Sequence, residues 1–152
     1  MSIFGHSMGG HGALCTYLAS KTKLYRSASA FAPISNPVKA PWGQKAFAGY
    51  LQGGIEEAKE QYDATELISK HTDPVHILID YVCRTFALGG GWLTRTQGTG
   101  DSFYKAGQLL PENFLSAARQ AGYDEVQVRV REQEGYDHSY FFVSTSDKSL
   151  AT

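Results

Sequence analysis

The first twenty residues constrain the fold most. A short apolar strand, Met1 to Phe4, runs into a glycine-rich turn and then into a helical pattern from Met8 to about Ser20. Ala13, Leu14, Tyr17 and Leu18 recur at helical spacing, so one face of that helix would lie on a sheet. A strand feeding a helix through so short a turn points to layered α/β structure. The following segments agree. Ser27 to Ala32 reads as a second strand, closed by Pro33 and Pro37. Residues 35–62, with Trp42, Phe47 and Tyr50 among Gly and Lys, suit a surface excursion or cap better than sheet core.

Asp63-Ala-Thr-Glu66 has capping-box spacing and predicts a helix to about Lys70. Pro74 to Tyr81, with Val75, Ile77, Leu78 and Ile79, reads as a strand buried on both faces, as parallel sheets require. Pro111 is placed to open a helix that Gly122 closes. Val126, Val128 and Val130 then alternate with polar residues as a last strand. The expected fold class is α/β, a mainly parallel sheet with flanking helices and right-handed crossovers.

With 152 residues the chain fits one domain, and 42% hydrophobic with 19% charged residues is an ordinary globular balance. A formal charge of -1 gives no reason to expect nucleic acid or an anionic membrane as partner. No apolar run approaches the ~20 residues that span a bilayer, and the N-terminus carries no basic and apolar leader pattern. The two cysteines, Cys15 and Cys83, lie far apart without neighbours at metal-ligand spacing. A reduced, cytoplasmic setting is expected, with no metal and no organic cofactor. Cys15, inside the apolar helix pattern, reads as a buried small hydrophobe.

Gly5-His6-Ser7-Met8-Gly9 matches G-x-S-x-G. The bare pattern arises by chance in roughly one chain of this length in twenty, but here it sits between an apolar strand and a helix. In that context it reads as the nucleophile elbow of a serine hydrolase; the plainer reading is a Gly-rich strand-helix turn. A Cβ on either flanking glycine is expected to collide with the adjoining strand or helix. Ser7 would sit in a strained conformation at the helix start, and the Met8 backbone N–H would be one oxyanion-hole donor.

A serine hydroxyl needs a base, and the base needs an orienting carboxylate. In this fold they follow in the order Ser, acid, His. Of five histidines, His138 follows a late strand. His71 and His76 read as surface residues, His6 lies within the elbow and cannot reach round to Ser7, and His11 reads as a packing or surface residue. Asp101, in a loop before the last strand, is the candidate acid; the plainer reading is a loop Asp capping a turn. Asp80 lies within a strand and Asp137 beside the histidine.

Five blocks then resemble one family: Phe4-Gly-His-Ser-Met-Gly-Gly-His-Gly-Ala13, Ser29-Ala-Phe-Ala-Pro-Ile34, Pro41-Trp42-Gly43, Gly107-Gln-Leu-Leu-Pro-Glu-Asn-Phe114 and Gly135-Tyr-Asp-His-Ser-Tyr140. They are similar to S-formylglutathione hydrolase, or esterase D, and lie in that family's order. The resemblance implies the C-terminal part of an α/β-hydrolase fold, with Ser7 as nucleophile, Asp101 as acid and His138 as base. It implies a cytosolic thioesterase that takes a glutathione thioester and releases formate and glutathione in formaldehyde detoxification. A short-chain carboxylesterase would use the same triad, and an inactive remnant of the family is a third reading. The oligomeric state, homodimer included, stays open.

Against that family, 1–152 is expected to be a partial, N-terminally truncated domain. The loop carrying the second oxyanion donor would be missing, a loss worth ~10²–10³ in rate, and strand 1–4 would be an exposed edge. Ser144 to Thr152 would stop short of a closing helix. Residues 82–97 are expected to be an insertion, because Tyr81 would otherwise run straight into Gly98-Thr-Gly-Asp101. A retained intron, with GT opening the Val82 codon and AG closing that of Gln97, would explain it. A genuine loop with a Gly89-Gly90-Gly91 tip is the alternative, and the genomic sequence decides between them.

Overall fold

A computed structural model describes residues 1–82, 101–133, 138 and 139. Four strands form one parallel sheet in the order β1-β2-β3-β4: β1 Ser2–His6, β2 Ser27–Phe31, β3 Ile77–Val82 and β4 Val128–Gln133. Chain order and sheet order coincide. Helices α1 Met8–Ala19, α2 Pro41–Tyr50, α3 Gly54–Gln61, α4 Ala64–Lys70, α5 Ser102–Lys105 and α6 Pro111–Gln120 fall between the strands, with a 3₁₀ turn at Pro37–Lys39.

The expected α/β order is what folds, with shifts that have local causes. β1 runs on through Gly5 and His6, which pair with Ala30 and Phe31. β3 starts at Ile77 rather than Pro74. Before Ile77, tyrosine hydroxyls use the backbone instead: Tyr17 Oη accepts from His76 N at 3.0 Å, and Tyr123 Oη donates to Asp73 O at 3.0 Å. β4 starts at Val128 because Asp124 Oδ1 accepts from both Val126 N and Gln127 N at 2.9 Å, turning that stretch into an Asx turn. Val126 is accordingly exposed.

β3 is central, and Ile77, Ile79, Asp80, Tyr81 and Val82 are all buried. Ala28 and Ala30 of β2 are small, which lets Leu14 and Leu18 of α1 close onto the sheet. Ile68 of α4 and Phe114 with Ala118 of α6 complete that core. The burial of Cys15 agrees with its reading as a small core hydrophobe. Val82, the first residue of the expected insertion, is the last of β3 and pairs with Gln133. Residues 83–97, Cys83 and the tail 144–152 lie outside the described residues.

The excursion 35–62 forms no strand of the sheet, and α2 and α3 occupy most of it. Its anchor is Asp63, a fully buried carboxylate. Asp63 accepts from Asn36 Nδ2, Val38 N, Thr65 N and Glu66 N at 3.0–3.1 Å. The capping role predicted for Asp63 therefore holds, and the same side chain fastens the turn that precedes α2. Gly43 adds a second anchor: a Cβ there would lie 2.1 Å from Pro37 O.

Candidate active site

Ser7 lies between β1 and α1, at φ 54° and ψ -117°. A positive φ at a non-glycine residue costs about 1–3 kcal/mol and needs surroundings that enforce it. Here Ser7 N donates to Phe31 O at 2.8 Å, and Ser7 O accepts from His11 N at 3.0 Å. The strained elbow expected from the motif is present.

The glycine argument needs one correction. A Cβ on Gly5 would sit 2.1 Å from Gly9 O, an impossible contact, but a Cβ on Gly9 meets nothing within 4 Å. The second tight position is Gly10, where a Cβ would lie 3.1 Å from both Gly5 O and Pro33 Cβ. Helix α1 rises away from the turn at Gly9 and crosses close to β1 and the Pro33 bend at Gly10.

The structure brings the three predicted residues together. His138 Nε2 is 2.8 Å from Ser7 Oγ, and its Nδ1 is 2.5 Å from Asp101 Oδ2. Ser7 and His138 are 131 positions apart in the chain. Asp101 is buried and divides its oxygens: Oδ2 faces His138, while Oδ1 accepts from Phe103 N at 2.8 Å and Tyr104 N at 3.2 Å as the N-cap of α5. Capping and the contact with the imidazole thus use one oxygen each, and neither excludes the other. Asp80, the other buried carboxylate near the strand ends, is engaged by Arg131 of β4, whose Nε donates to Oδ1 at 2.6 Å. Asp137 lies outside the described residues.

Met8 is the first residue of α1, and the first N–H groups of a helix have no intrahelical acceptor. That N–H therefore stands next to Ser7 at the positive end of the helix. A cavity of about 190 Å³ opens on Ser7, lined by Met8, Ile34, Trp42, Phe103, Gln108 and Leu109. Trp42 Nε1 is a buried donor with no acceptor among the described residues. Of these wall residues, sequence reasoning assigns a role only to Met8, although Ile34, Trp42, Gln108 and Leu109 also fall in the blocks that carry the resemblance.

The other histidines divide by burial. Burial, then the neighbouring His138, hold His6 below the ordinary imidazole value. Burial does the same to His11, whose Nδ1 is 3.0 Å from Ile34 O. His11 is thus a packing residue, and His76 is exposed. Among the described residues there is no cluster of three or more metal-ligating side chains, and no helix is long and apolar enough to cross a membrane.

A family model described as "Putative esterase" matches residues 1–149. The chain belongs to this esterase family. It is 49% identical to rat (Rattus norvegicus) S-formylglutathione hydrolase over 147 residues, covering 95% of this chain and 44% of the relative. Against the Arabidopsis thaliana S-formylglutathione hydrolase it is 47% identical over 145 residues, covering 95% and 43%. A solved S-formylglutathione hydrolase from Agrobacterium tumefaciens superposes with a TM-score of 0.70 at 33% identity, covering 99% of this chain and 47% of that one. The chain thus spans less than half the length of the curated relatives it matches.

Proposed function

We propose that this esterase-family chain is a serine thioesterase that hydrolyses S-formylglutathione to formate and glutathione. The observation that carries the reading is the continuous relay from Asp101 Oδ2 through His138 to Ser7 Oγ, at 2.5 and 2.8 Å. The similarity to S-formylglutathione hydrolases supplies the substrate.

In this reading His138 Nε2 takes the Ser7 proton as Oγ attacks the formyl carbonyl, while Asp101 holds the ring with Nδ1–H toward its carboxylate. The Met8 N–H faces the oxygen that becomes negative. Collapse of the tetrahedral adduct breaks the C–S bond. The thiolate of glutathione leaves, taking a proton from His138, and formyl-Ser7 remains. Water, deprotonated by the same nitrogen, then attacks the ester, and formate departs as Ser7 recovers its proton. A thiolate is a good leaving group, so departure needs little acid catalysis. The cavity of about 190 Å³ beside Ser7 suits a small acyl group. The placement we propose for this activity is formaldehyde catabolism in the cytoplasm.

The test is hydrolysis of S-formylglutathione by the purified chain alongside its Ser7→Ala variant. Turnover that disappears in the variant is expected. Equal turnover by both proteins would refute the assignment of Ser7.

A further inference from the structure

Among the described residues, two aromatic rings pack against His138 beside its contacts with Asp101 and Ser7. The ring of His6, the residue immediately before Ser7, has its centroid 4.7 Å from that of His138 at an interplanar angle of 45°. The ring of Phe103, two residues after Asp101, is also at 4.7 Å, tilted by 53°. The segments that deliver the nucleophile and the acid thus each deliver a ring onto the base as well.

The geometry explains why such rings are needed. The two hydrogen bonds of His138, at Nδ1 and Nε2, leave from the two nitrogens that flank Cε1. Hydrogen bonds tolerate tens of degrees of misalignment, so these two hold the tilt of the ring plane only loosely. Side packing supplies the missing restraint, and tilted contacts at 4.5–7 Å are the favoured arrangement for aromatic pairs. His6 suits this place chemically. Its burial holds it below the ordinary imidazole value, so at neutral pH it packs against the base without a like charge.

We infer that His6 and Phe103 are positioning residues that fix the plane of the His138 ring, so that Nε2 stays aligned with Ser7 Oγ. The inference rests on the proposed role of His138 as base. Each tilted ring pair is expected to favour the aligned orientation by about 2- to 10-fold, so losing both approaches the ~10²-fold cost of a misplaced catalytic group.

The test uses the full chain with His6→Ala, His6→Phe, Phe103→Ala and the double variant His6→Ala/Phe103→Ala. Two readouts are taken: the rate and affinity of Ser7 phosphonylation by a small fluorophosphonate, and the downfield proton resonance of His138 Nδ1–H in its bond to Asp101. The expected result for His6→Ala is a several-fold slower phosphonylation step at unchanged probe affinity, with a broadened resonance. The His6→Phe variant, which keeps a ring but no ionisable group, should restore both. Phe103→Ala should also be slowed, and the double variant should be slowest. Wild-type behaviour of both single Ala variants would overturn the inference, as would a His6→Phe variant no better than His6→Ala. A wild-type Ser7 that resists the probe would count against the proposed function. The resonance would still decide the orienting role, because it reports the ring and not the nucleophile.

Discussion

Replacing Gly5 by Ala is the sharpest perturbation the elbow offers. The added Cβ would lie 2.1 Å from Gly9 O, 2.3 Å from Gly9 C and 2.8 Å from Gly10 N. Non-bonded carbon contacts are comfortable near 3.5–4.0 Å, so α1 must lift off β1 by roughly 1 Å. The obstacle is backbone on both sides, and no side chain can swing away. Overpacking of this kind costs about 1–3 kcal/mol, occasionally more. The shift falls within the turn that holds Ser7 at φ 54°, so Ser7 Oγ leaves its 2.8 Å contact with His138. A displacement of that size costs about 10²-fold in reactivity. Gly9→Ala is the control: its Cβ meets nothing within 4 Å, and it gains up to ~1 kcal/mol of helix propensity. Urea denaturation and the rate of Ser7 phosphonylation measure the two effects. Gly5→Ala should lose both stability and reactivity while Gly9→Ala keeps both. A Gly5→Ala protein with wild-type stability and reactivity would refute the steric argument, and so would equal damage from the two variants.

Three further outcomes are expected. Phe114→Ala empties a fully buried position where α6 meets the core and should cost about 3–5 kcal/mol, read as a lower urea midpoint. His6 and His11 are both held below the ordinary imidazole value by burial, so below about pH 6.5 the unfolded chain binds protons that the folded chain refuses. Stability should therefore fall as pH drops from about 7 towards the folded values and level off beneath them. Urea midpoints across that range should fall less steeply in His11→Gln. Cys15 is buried with its thiol pushed up to about 12, so in a Cys83→Ser background iodoacetamide should label it only after denaturation, as read by mass spectrometry.

The parts of this molecule that were legible in the sequence are those whose causes are local. The elbow announces itself because strand, turn and helix are contiguous. Asp63 and Pro111 mark helix starts by spacing alone. Helices α2 and α3 were not legible. Gly43, Gly49, Gly53 and Gly54 lower helix propensity across that stretch, and what holds it is tertiary: the buried Asp63 carboxylate and the close approach of Gly43 to Pro37. The role exchange between Gly9 and Gly10 has the same origin, since only the position of Pro33 reveals which glycine is crowded. Ser7, Asp101 and His138 could be ordered from chain logic, but the rings of His6 and Phe103 against His138 could not. Those contacts join residues 132 and 35 positions apart and depend on how α5 and the elbow meet in space.

In the proposed mechanism Ser7 reacts with S-formylglutathione because His138, oriented by Asp101, activates it. The most direct measurement is the turnover of S-formylglutathione by the wild-type chain and by Asp101→Asn, both confirmed as folded by near-ultraviolet circular dichroism. Loss of the orienting carboxylate should lower turnover by about 10⁴-fold, while the amide oxygen of the variant still caps α5 and the fold persists. Turnover at the wild-type rate in folded Asp101→Asn would rule out Asp101 as the orienting acid of this mechanism.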